Sequence, residues 1–179
     1  MEKNLSNQIR KSIRIIKDFP KKGIAFQDIT SITEDPKIFG KIVSEIDKYI
    51  KKYKITKIIG IEARGFIFAS AAAHISKVPF VPIRKKNKLP GKTFRQKYTL
   101  EYGQDEIHIH QNAINKKDRV LIVDDLIATG GTAIAASKLL QKCNPSRISF
   151  FIIINLENLK GAIKIKNKYD LKILYETQG

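Results

Sequence analysis

The chain has 179 residues, of which 42% are hydrophobic, and a formal net charge of +17 at neutral pH. That length suits a single domain, residues 1–179, and its separate short apolar segments exclude disordered and collagen-like classes. No apolar run approaches the roughly 18 residues that cross a bilayer, and no signal-peptide pattern opens the chain. The single cysteine, Cys143, cannot form an internal disulfide. We therefore expect a cytoplasmic protein without a membrane partner, whose charge attracts polyanions or phosphorylated small molecules.

Two amphipathic helices are predicted in the first 50 residues. The first ends near Phe19, because apolar residues recur at spacings of four, four and three at Leu5, Ile9, Ile13 and Ile16. Asp35 and Pro36 supply an N-cap and a first-turn proline for the second helix. Its buried stripe is predicted to be Ile38, Ile42, Ile46 and Tyr49 or Ile50.

Short β-branched runs alternate with helical stretches from residue 57 onward. The predicted strands are 57–61, 79–83, 120–123 and 148–154, with helices at 66–76 and 133–143. Strands that alternate with helices are typical of right-handed crossovers. The sequence thus predicts an α/β fold with a mostly parallel central sheet flanked by helices.

The segment 84–97 interrupts this pattern. It is rich in Lys, Arg, Gly and Pro and has no apolar periodicity, so it is predicted to be a long mobile loop. Residues 98–102 and 107–110 then form two short predicted strands around a turn that contains Gly103. Together they predict a hairpin beside the main sheet.

The most informative segment follows the predicted strand 120–123. Asp124 and Asp125 come directly after the strand, and a loop of small residues then opens into a helix near residue 133. The loop consists of Ala128, Thr129, Gly130, Gly131 and Thr132. Its glycines allow close backbone approach, the first helical amides are unpaired donors, and its threonines add hydroxyls, all of which suit a phosphate.

The type of phosphate is narrowed by what this loop lacks. It has neither the lysine of the GxxxxGK[ST] nucleoside-triphosphate loop nor the glycine spacing of the GxGxxG dinucleotide turn. A monophosphate is therefore favoured. Two carboxylates beside a phosphate would be repulsive unless they have another role, such as accepting hydrogen bonds from ribose hydroxyls, so the pair indicates a sugar phosphate.

The segment resembles the signature of the type I phosphoribosyltransferase family, which binds 5-phosphoribosyl-1-pyrophosphate (PRPP). The resemblance implies the type I phosphoribosyltransferase fold, with a flexible hairpin and an N-terminal hood at about residues 1–34. It implies that Asp124 and Asp125 contact the ribose and act in catalysis, and that residues 128–132 hold the 5′-phosphate.

Two basic segments resemble the family's pyrophosphate-binding parts. Arg64 follows the strand 57–61 at the predicted start of a helix, where its guanidinium could bind an oxyanion through two parallel hydrogen bonds. The run 84–91 resembles the adenine-specific members, in which such residues neutralise pyrophosphate from a mobile loop and from the neighbouring subunit. The resemblance selects Arg84, Lys85 and Lys88, although charge runs are usually only solvated.

Two further segments resemble the adenine-specific members. Residues 98–103 match the hairpin that closes over the reacting atoms, with Glu101 as acid or base and Tyr102 beside it. Residues 23–30 match the purine hood, with Phe26 stacking on the base and main-chain atoms of Ala25 and Gln27 reading its edge. The hood departs from the family at Lys22, where proline is common, and at Gln27, where arginine is common.

The resemblance implies an enzyme of purine salvage that converts adenine and PRPP into AMP and pyrophosphate. It also implies Mg²⁺, bound mainly through PRPP rather than by protein side chains, and a homodimer. Two alternatives stay open: an enzyme for hypoxanthine, guanine or xanthine, and a non-catalytic regulator that binds PRPP. No specific nucleic-acid partner is expected, because no DNA-reading element is recognisable.

Overall fold

A computed structural model gives the fold and describes residues 2–19, 21–100 and 103–178. Its elements in chain order are α1 (Glu2–Ser12), β1 (Arg14–Lys17), β2 (Ala25–Asp28), α2 (Thr30–Glu34), α3 (Pro36–Tyr53), β3 (Lys57–Ile61), α4 (Gly65–Ser76), β4 (Phe80–Lys85), β5 (Thr93–Leu100), β6 (Gly103–His110), β7 (Arg119–Ile127), α5 (Gly131–Gln141), β8 (Arg147–Leu156), a 3₁₀ turn (Glu157–Leu159), α6 (Gly161–Lys166) and β9 (Asp170–Thr177).

A seven-stranded sheet with the order β5-β6-β4-β3-β7-β8-β9 forms the centre of the fold. The five strands from β4 to β9 in this order pair in parallel, whereas β6 pairs antiparallel with both β4 and β5. The prediction of an α/β fold with a mostly parallel central sheet is confirmed. Because the parallel strands share one direction, the carboxyl ends of β3, β4 and β7 lie along the same edge.

Helices cover both faces of this sheet. One buried cluster joins α1, α3 and α4 to one face, and a second joins α5 and α6 to the other. Strand β7 serves both clusters by alternation, with Leu121 and Val123 in the first and Val120 and Ile122 in the second. Among the described residues, no helix combines the length and apolar character needed to cross a membrane.

The first helix is shorter than predicted. It ends at Ser12, and residues 14–17 form β1, which pairs antiparallel with β2. Leu5, Ile9 and Ile13 are buried as expected, but Ile16 is 39% exposed. The backbone pairing with β2 and the strand preference of β-branched side chains outweigh the helical spacing here.

The second helix follows its sequence signals. The Asp35 carboxylate accepts hydrogen bonds from the backbone N–H groups of Lys37 and Ile38, and Pro36 is the first helical residue. The predicted isoleucine stripe is buried, at Ile38, Ile42, Ile46 and Ile50. Helix α3 therefore packs as the sequence predicts.

The prediction of a long mobile loop at 84–97 is wrong over both of its ends. Strand β4 continues through Lys85, β5 begins at Thr93, and only residues 86–92 connect them. The hairpin pairing runs from Thr93 opposite His110 to Leu100 opposite Gly103. Hydrogen bonds to the neighbouring strand form this structure, and they need no apolar periodicity in the sequence.

Candidate active site

A cavity of about 290 Å³ opens where the carboxyl ends of β3 and β7 meet. It lies between the loop that precedes α4, the loop that precedes α5, and the hairpin. The predicted site residues in its wall are Arg64, Lys85, Asp124, Asp125, Ala128, Thr129, Gly130, Gly131 and Thr132. Segments far apart in the sequence, predicted for ribose, phosphate and pyrophosphate, thus share one cavity.

The predicted phosphate loop turns directly into helix α5. Gly130 has a φ of +80°, which a residue with a side chain rarely adopts, and its carbonyl accepts the Ile134 N–H at 2.9 Å. The first N–H groups of α5 have no partner within the helix, and Gly131 and Thr132 both line the cavity. This arrangement offers backbone donors and a helix N-terminus to an anion.

Asp124 and Asp125 lie at the cavity wall with their charges close together. Asp124 is half-buried and Asp125 is buried, and the Asp125 N–H donates to Asp124 Oδ1 at 3.1 Å. Desolvation, followed by the neighbouring Asp125 charge, raises the pKa of Asp124 well above its ordinary value. Desolvation also raises the pKa of Asp125, although Arg64 opposes this rise. Burial and the closeness of the two carboxylates therefore make ionisation of the pair more costly than it is for a solvated carboxyl group.

The N-terminus of α4 lies directly against Asp124. A Cβ atom at Gly65 would come within 2.8 Å of both Asp124 Oδ1 and the Val123 carbonyl oxygen. Only glycine leaves room for this approach. The positive end of the α4 dipole and the Asp124 carboxylate thereby lie side by side. The loop that carries Arg64 therefore packs directly against the strand end that leads into the predicted phosphate loop.

Arg64 links the acids to the hood. Its Nε lies 3.1 Å from Asp125 Oδ2, which accepts no hydrogen bond, and its guanidinium lies 5.9 Å from the centre of the Phe26 ring. The Arg64 side chain is 44% exposed, whereas that of Asp125 is 4% exposed. The Arg64 side chain is therefore accessible to a ligand, whereas the Asp125 carboxylate is enclosed.

Arg84 is held outside the cavity wall. Glu62 Oε2 accepts from Arg84 Nε at 2.9 Å and from the Lys85 N–H at 2.8 Å. The hydrogen bond from Arg84 lowers the pKa of Glu62. The Arg84 guanidinium also lies 5.9 Å from the Phe66 ring centre. Glu62 thus anchors the end of β4 to the loop before α4.

Lys85 reaches the cavity wall, where it meets the hairpin. Its Nζ lies 3.1 Å from Asp105 Oδ2, and the Tyr98 hydroxyl donates to the same oxygen at 3.2 Å. Although burial opposes it, the pKa of Asp105 is lowered by the hydrogen bond from the Glu106 N–H and by Lys85. Lys88 is exposed and does not line the cavity.

The predicted hood residues lie on β2, next to Arg64 rather than in the cavity wall. Phe26 is half-buried and packs edge to face against Phe19, with ring centres 5.1 Å apart. Ala25 is exposed and Gln27 is buried. Phe26 therefore contacts the cavity wall through the Arg64 guanidinium.

The two predicted hairpin residues Glu101 and Tyr102 lie outside the described residues. Their neighbours in the sequence, Leu100 and Gly103, face each other across the hairpin. Within ranges 2–19, 21–100 and 103–178, no group of three or more His, Cys, Asp or Glu side chains is arranged to hold a metal ion.

Comparison with known proteins agrees with this geometry. The family model for the phosphoribosyl transferase domain matches residues 28–176. The adenine phosphoribosyltransferase of Wolinella succinogenes is 46% identical over 178 residues, covering 98% of each chain. That of Methanococcus maripaludis is 48% identical over 166 residues, covering 93% of this chain and 96% of the relative.

The chain belongs to the adenine phosphoribosyltransferase family.

Solved structures of the family have the same fold. The Saccharomyces cerevisiae adenine phosphoribosyltransferase superposes with a TM-score of 0.90 at 34% identity, covering 96% of this chain and 99% of the yeast chain. The enzyme from Thermoanaerobacter pseudethanolicus gives a TM-score of 0.88 at 41% identity, covering 96% and 99%. The type I phosphoribosyltransferase fold, expected from the resemblance of residues 120–132 to the family signature, is therefore confirmed.

Three side chains in this family member's site were missed in the sequence. Glu62 was assigned no role in the site from the sequence, whereas its carboxylate accepts hydrogen bonds from Arg84 Nε and from the Lys85 N–H. Tyr98 lines the cavity, and Asp105 binds both Tyr98 and Lys85. The period-two alternation of the hairpin places Tyr98 and Asp105 as cross-strand partners, and this pairing was the available signal.

Proposed function

We propose that the chain catalyses transfer of the phosphoribosyl group from PRPP to N9 of adenine, forming AMP and pyrophosphate in purine salvage. One observation carries this proposal: the ribose acids, the phosphate loop and Arg64 share the wall of a single cavity. The family relationship supports the base, since the yeast enzyme was crystallised with adenine and an imino-altritol bisphosphate.

The reaction makes separate demands on the two ends of the cavity. The bond between C1 of the ribose and the pyrophosphate oxygen breaks, and its electron pair leaves with pyrophosphate. N9 of adenine supplies the pair for the new bond to C1 and then loses its proton. Arg64 and Lys85 would stabilise the negative charge that develops on the leaving group, and the Asp124 and Asp125 charges would favour a cationic ribose.

Mg²⁺ is the expected partner of PRPP in this reaction. It prefers oxygen ligands and is usually held by one or two carboxylates together with substrate phosphates. The half-buried Asp124 and the buried Asp125 fit that role, since both line the cavity and Asp125 Oδ2 accepts no hydrogen bond. We propose that Mg²⁺ binds mainly through PRPP oxygens beside these two acids. When bound, it would neutralise part of the pyrophosphate charge.

The assembly and surroundings of the enzyme are part of the proposal. We propose that residues 1–179 act as a single domain, with residues 1–34 as the hood. Helix α4 follows the Arg64 loop and exposes two large apolar side chains, Ile67 and Ile75. Such side chains suit a homodimer interface close to the cavity. A cytoplasmic location fits the single cysteine.

Nucleotide formation tests the proposed function directly. Purified protein is incubated with PRPP and Mg²⁺ and with adenine, hypoxanthine, guanine or xanthine in separate reactions, and the products are separated by chromatography. We expect AMP from adenine and no nucleotide from the other three bases. Product from another base, with none from adenine, would support the alternative purine enzyme. PRPP binding without any product would support the non-catalytic regulator.

Glu101 is proposed to exchange the N9 proton. Glu101→Ala is then expected to lower kcat by about 100-fold or more while the PRPP affinity changes little, because general acid–base catalysis acts on the transition state. Gln104→Ala, at an exposed position of the same hairpin, is the control and should keep full activity. Unchanged turnover in Glu101→Ala would remove Glu101 from the mechanism.

A further inference from the structure

The back of the phosphate loop rests on the segment that begins helix α6. The Gly161 N–H donates to the Ala128 carbonyl oxygen at 3.0 Å. The Lys164 ammonium donates to the Thr129 carbonyl oxygen at 3.1 Å. Two successive carbonyl groups of the loop are therefore tied to a segment more than 30 residues later in the chain.

Gly161 fits against the loop without any space for a side chain. A Cβ atom there would lie 2.1 Å from the Ala128 oxygen, 2.6 Å from the Gly130 nitrogen and 2.8 Å from the Thr129 carbonyl carbon. All three are backbone atoms, so no side-chain rotation relieves the clash. The contact is reciprocal, because a Cβ atom at Gly130 would lie 3.0 Å from the Gly161 oxygen. Any larger residue at 161 must displace the loop.

These contacts also fix the direction of the loop amides. In a planar trans peptide the N–H points opposite to the C=O. The Ala128 carbonyl points at Gly161, so the Thr129 N–H points away from Gly161. By the same geometry, the Gly130 N–H points away from the Lys164 ammonium. Thr129 and Gly130 both line the cavity.

We propose that Gly161 and Lys164 are positioning residues for the 5′-phosphate. Gly161 sets the position of the loop and the orientation of its peptides. Lys164 keeps the Thr129 carbonyl pointing away from the phosphate and places a positive charge on the far side of the loop from it. The phosphate ester as ligand rests on the proposed function. Neither residue lines the cavity itself, so both act through residues 128–130.

Paired binding measurements separate this role from general stability. Ribose 5-phosphate occupies only the phosphate and ribose part of the site, whereas pyrophosphate occupies only the leaving-group part. Isothermal titration calorimetry with each ligand, in the presence of Mg²⁺, is compared among the wild type, Gly161→Ala, Lys164→Met and Lys164→Arg. The controls are Gly40→Ala, at an open helix position, and Lys168→Met, at an exposed lysine near α6.

A loss confined to ribose 5-phosphate is expected. Its affinity should fall about 100-fold in Gly161→Ala, since misplacement by about 1 Å has effects of that size. In Lys164→Met it should fall about 3- to 10-fold, as expected for one exposed charged hydrogen bond, and Lys164→Arg should restore it. Pyrophosphate affinity should stay within about 3-fold of wild type in every variant, and both controls should match wild type. In turnover assays, KM for PRPP should rise more than KM for adenine.

Other results would overturn the proposal. Unchanged ribose 5-phosphate binding in Gly161→Ala and Lys164→Met would do so, as would equal losses of ribose 5-phosphate and pyrophosphate. Should Gly161→Ala fail to fold, Lys164→Met and its arginine rescue decide the question. A wild-type protein that binds ribose 5-phosphate but makes no nucleotide would refute the proposed function alone, because the variants would still decide the positioning role. A wild type that does not bind it would refute both.

Discussion

The two ends of the cavity offer different kinds of hydrogen-bond donor. At the proposed phosphate end, residues 128–132 offer backbone amides, hydroxyls and a helix N-terminus, and the carbonyls of Ala128 and Thr129 are tied to α6. At the proposed pyrophosphate end, the donors are long cationic side chains, and each predicted cation close to the cavity is paired with a carboxylate. These pairs are Arg64 with Asp125, Arg84 with Glu62, and Lys85 with Asp105.

The difference matches what each end has to do in the proposed reaction. The 5′-phosphate is present in substrate and product alike, so a fixed backbone cradle can hold it throughout. Pyrophosphate is formed and must leave. A cation that returns to its own carboxylate after release avoids standing unpaired in a partly desolvated site. We therefore expect the pyrophosphate end to respond to changes in charge and the phosphate end to respond to changes in backbone shape.

The largest expected effect is at Arg64. Arg64→Met should lower kcat/KM for PRPP by about 1,000-fold, because it removes charge stabilisation at the leaving group. It also leaves the buried Asp125 carboxylate without its cation. Steady-state kinetics measures the loss, and pyrophosphate titration should show weakened binding while ribose 5-phosphate binding changes less.

The matched control for Arg64 is Arg147, whose guanidinium pairs with Asp170 far from the cavity. Arg147→Met should keep full activity, since exposed ion pairs contribute little. If Arg64→Met weakened ribose 5-phosphate binding as much as pyrophosphate binding, the two ends of the cavity would not act separately. That result would contradict the proposed difference between them.

Asp124 should show opposite effects on binding and on stability. Asp124→Asn removes the proposed ribose acceptor and should weaken PRPP binding about 10- to 100-fold, as expected for a charged hydrogen-bonding partner. It should also raise the free energy of unfolding of the unliganded protein by about 1–2 kcal/mol at neutral pH, a size common for relieving strain at functional sites. Equilibrium urea unfolding measures the second effect.

The pH dependence follows from the raised pKa of Asp124. A carboxyl group whose pKa is raised by folding contributes stability that is present below its unfolded pKa, near 4, and that is lost as pH rises through the folded pKa. The stability gap between Asp124→Asn and wild type should therefore widen as pH rises from about 4 toward neutral. A gap that narrowed over this range would contradict the raised pKa.

Much of the phosphate end could be predicted from the sequence, because it is local. A buried strand, two acids, small residues and a helix start are consecutive between Val120 and Ala133, so their order alone indicates an anion site. The parallel sheet was predictable for the same reason, since each strand and each crossover helix carries its own pattern.

The pyrophosphate end and the support of the loop could not be predicted in the same way. Lys85 meets Asp105 only because β6 folds back beside β4, and Gly161 meets Ala128 only through the packing of α6. Neither contact leaves a periodic pattern in the sequence. The prediction that the first helix runs to near Phe19 was wrong for a related reason, because pairing with β2 decided the conformation of residues 14–17.

The smallest expected effect tests whether the carboxylates compete with pyrophosphate. Asp105→Asn removes the charge that Lys85 Nζ meets at 3.1 Å but keeps an acceptor for the Tyr98 hydroxyl. Lys85 is then available without breaking an ion pair, so pyrophosphate should bind about 3-fold more tightly, the scale of a partly exposed pair, while ribose 5-phosphate is unaffected. Asp170→Asn, which removes the surface partner of Arg147, is the control and should change the binding of neither ligand.

Weaker pyrophosphate binding in Asp105→Asn would mean that the Asp105 carboxylate orients Lys85 for the ligand instead of competing with the ligand for Lys85. In that case the pyrophosphate end would be as preorganised as the phosphate end.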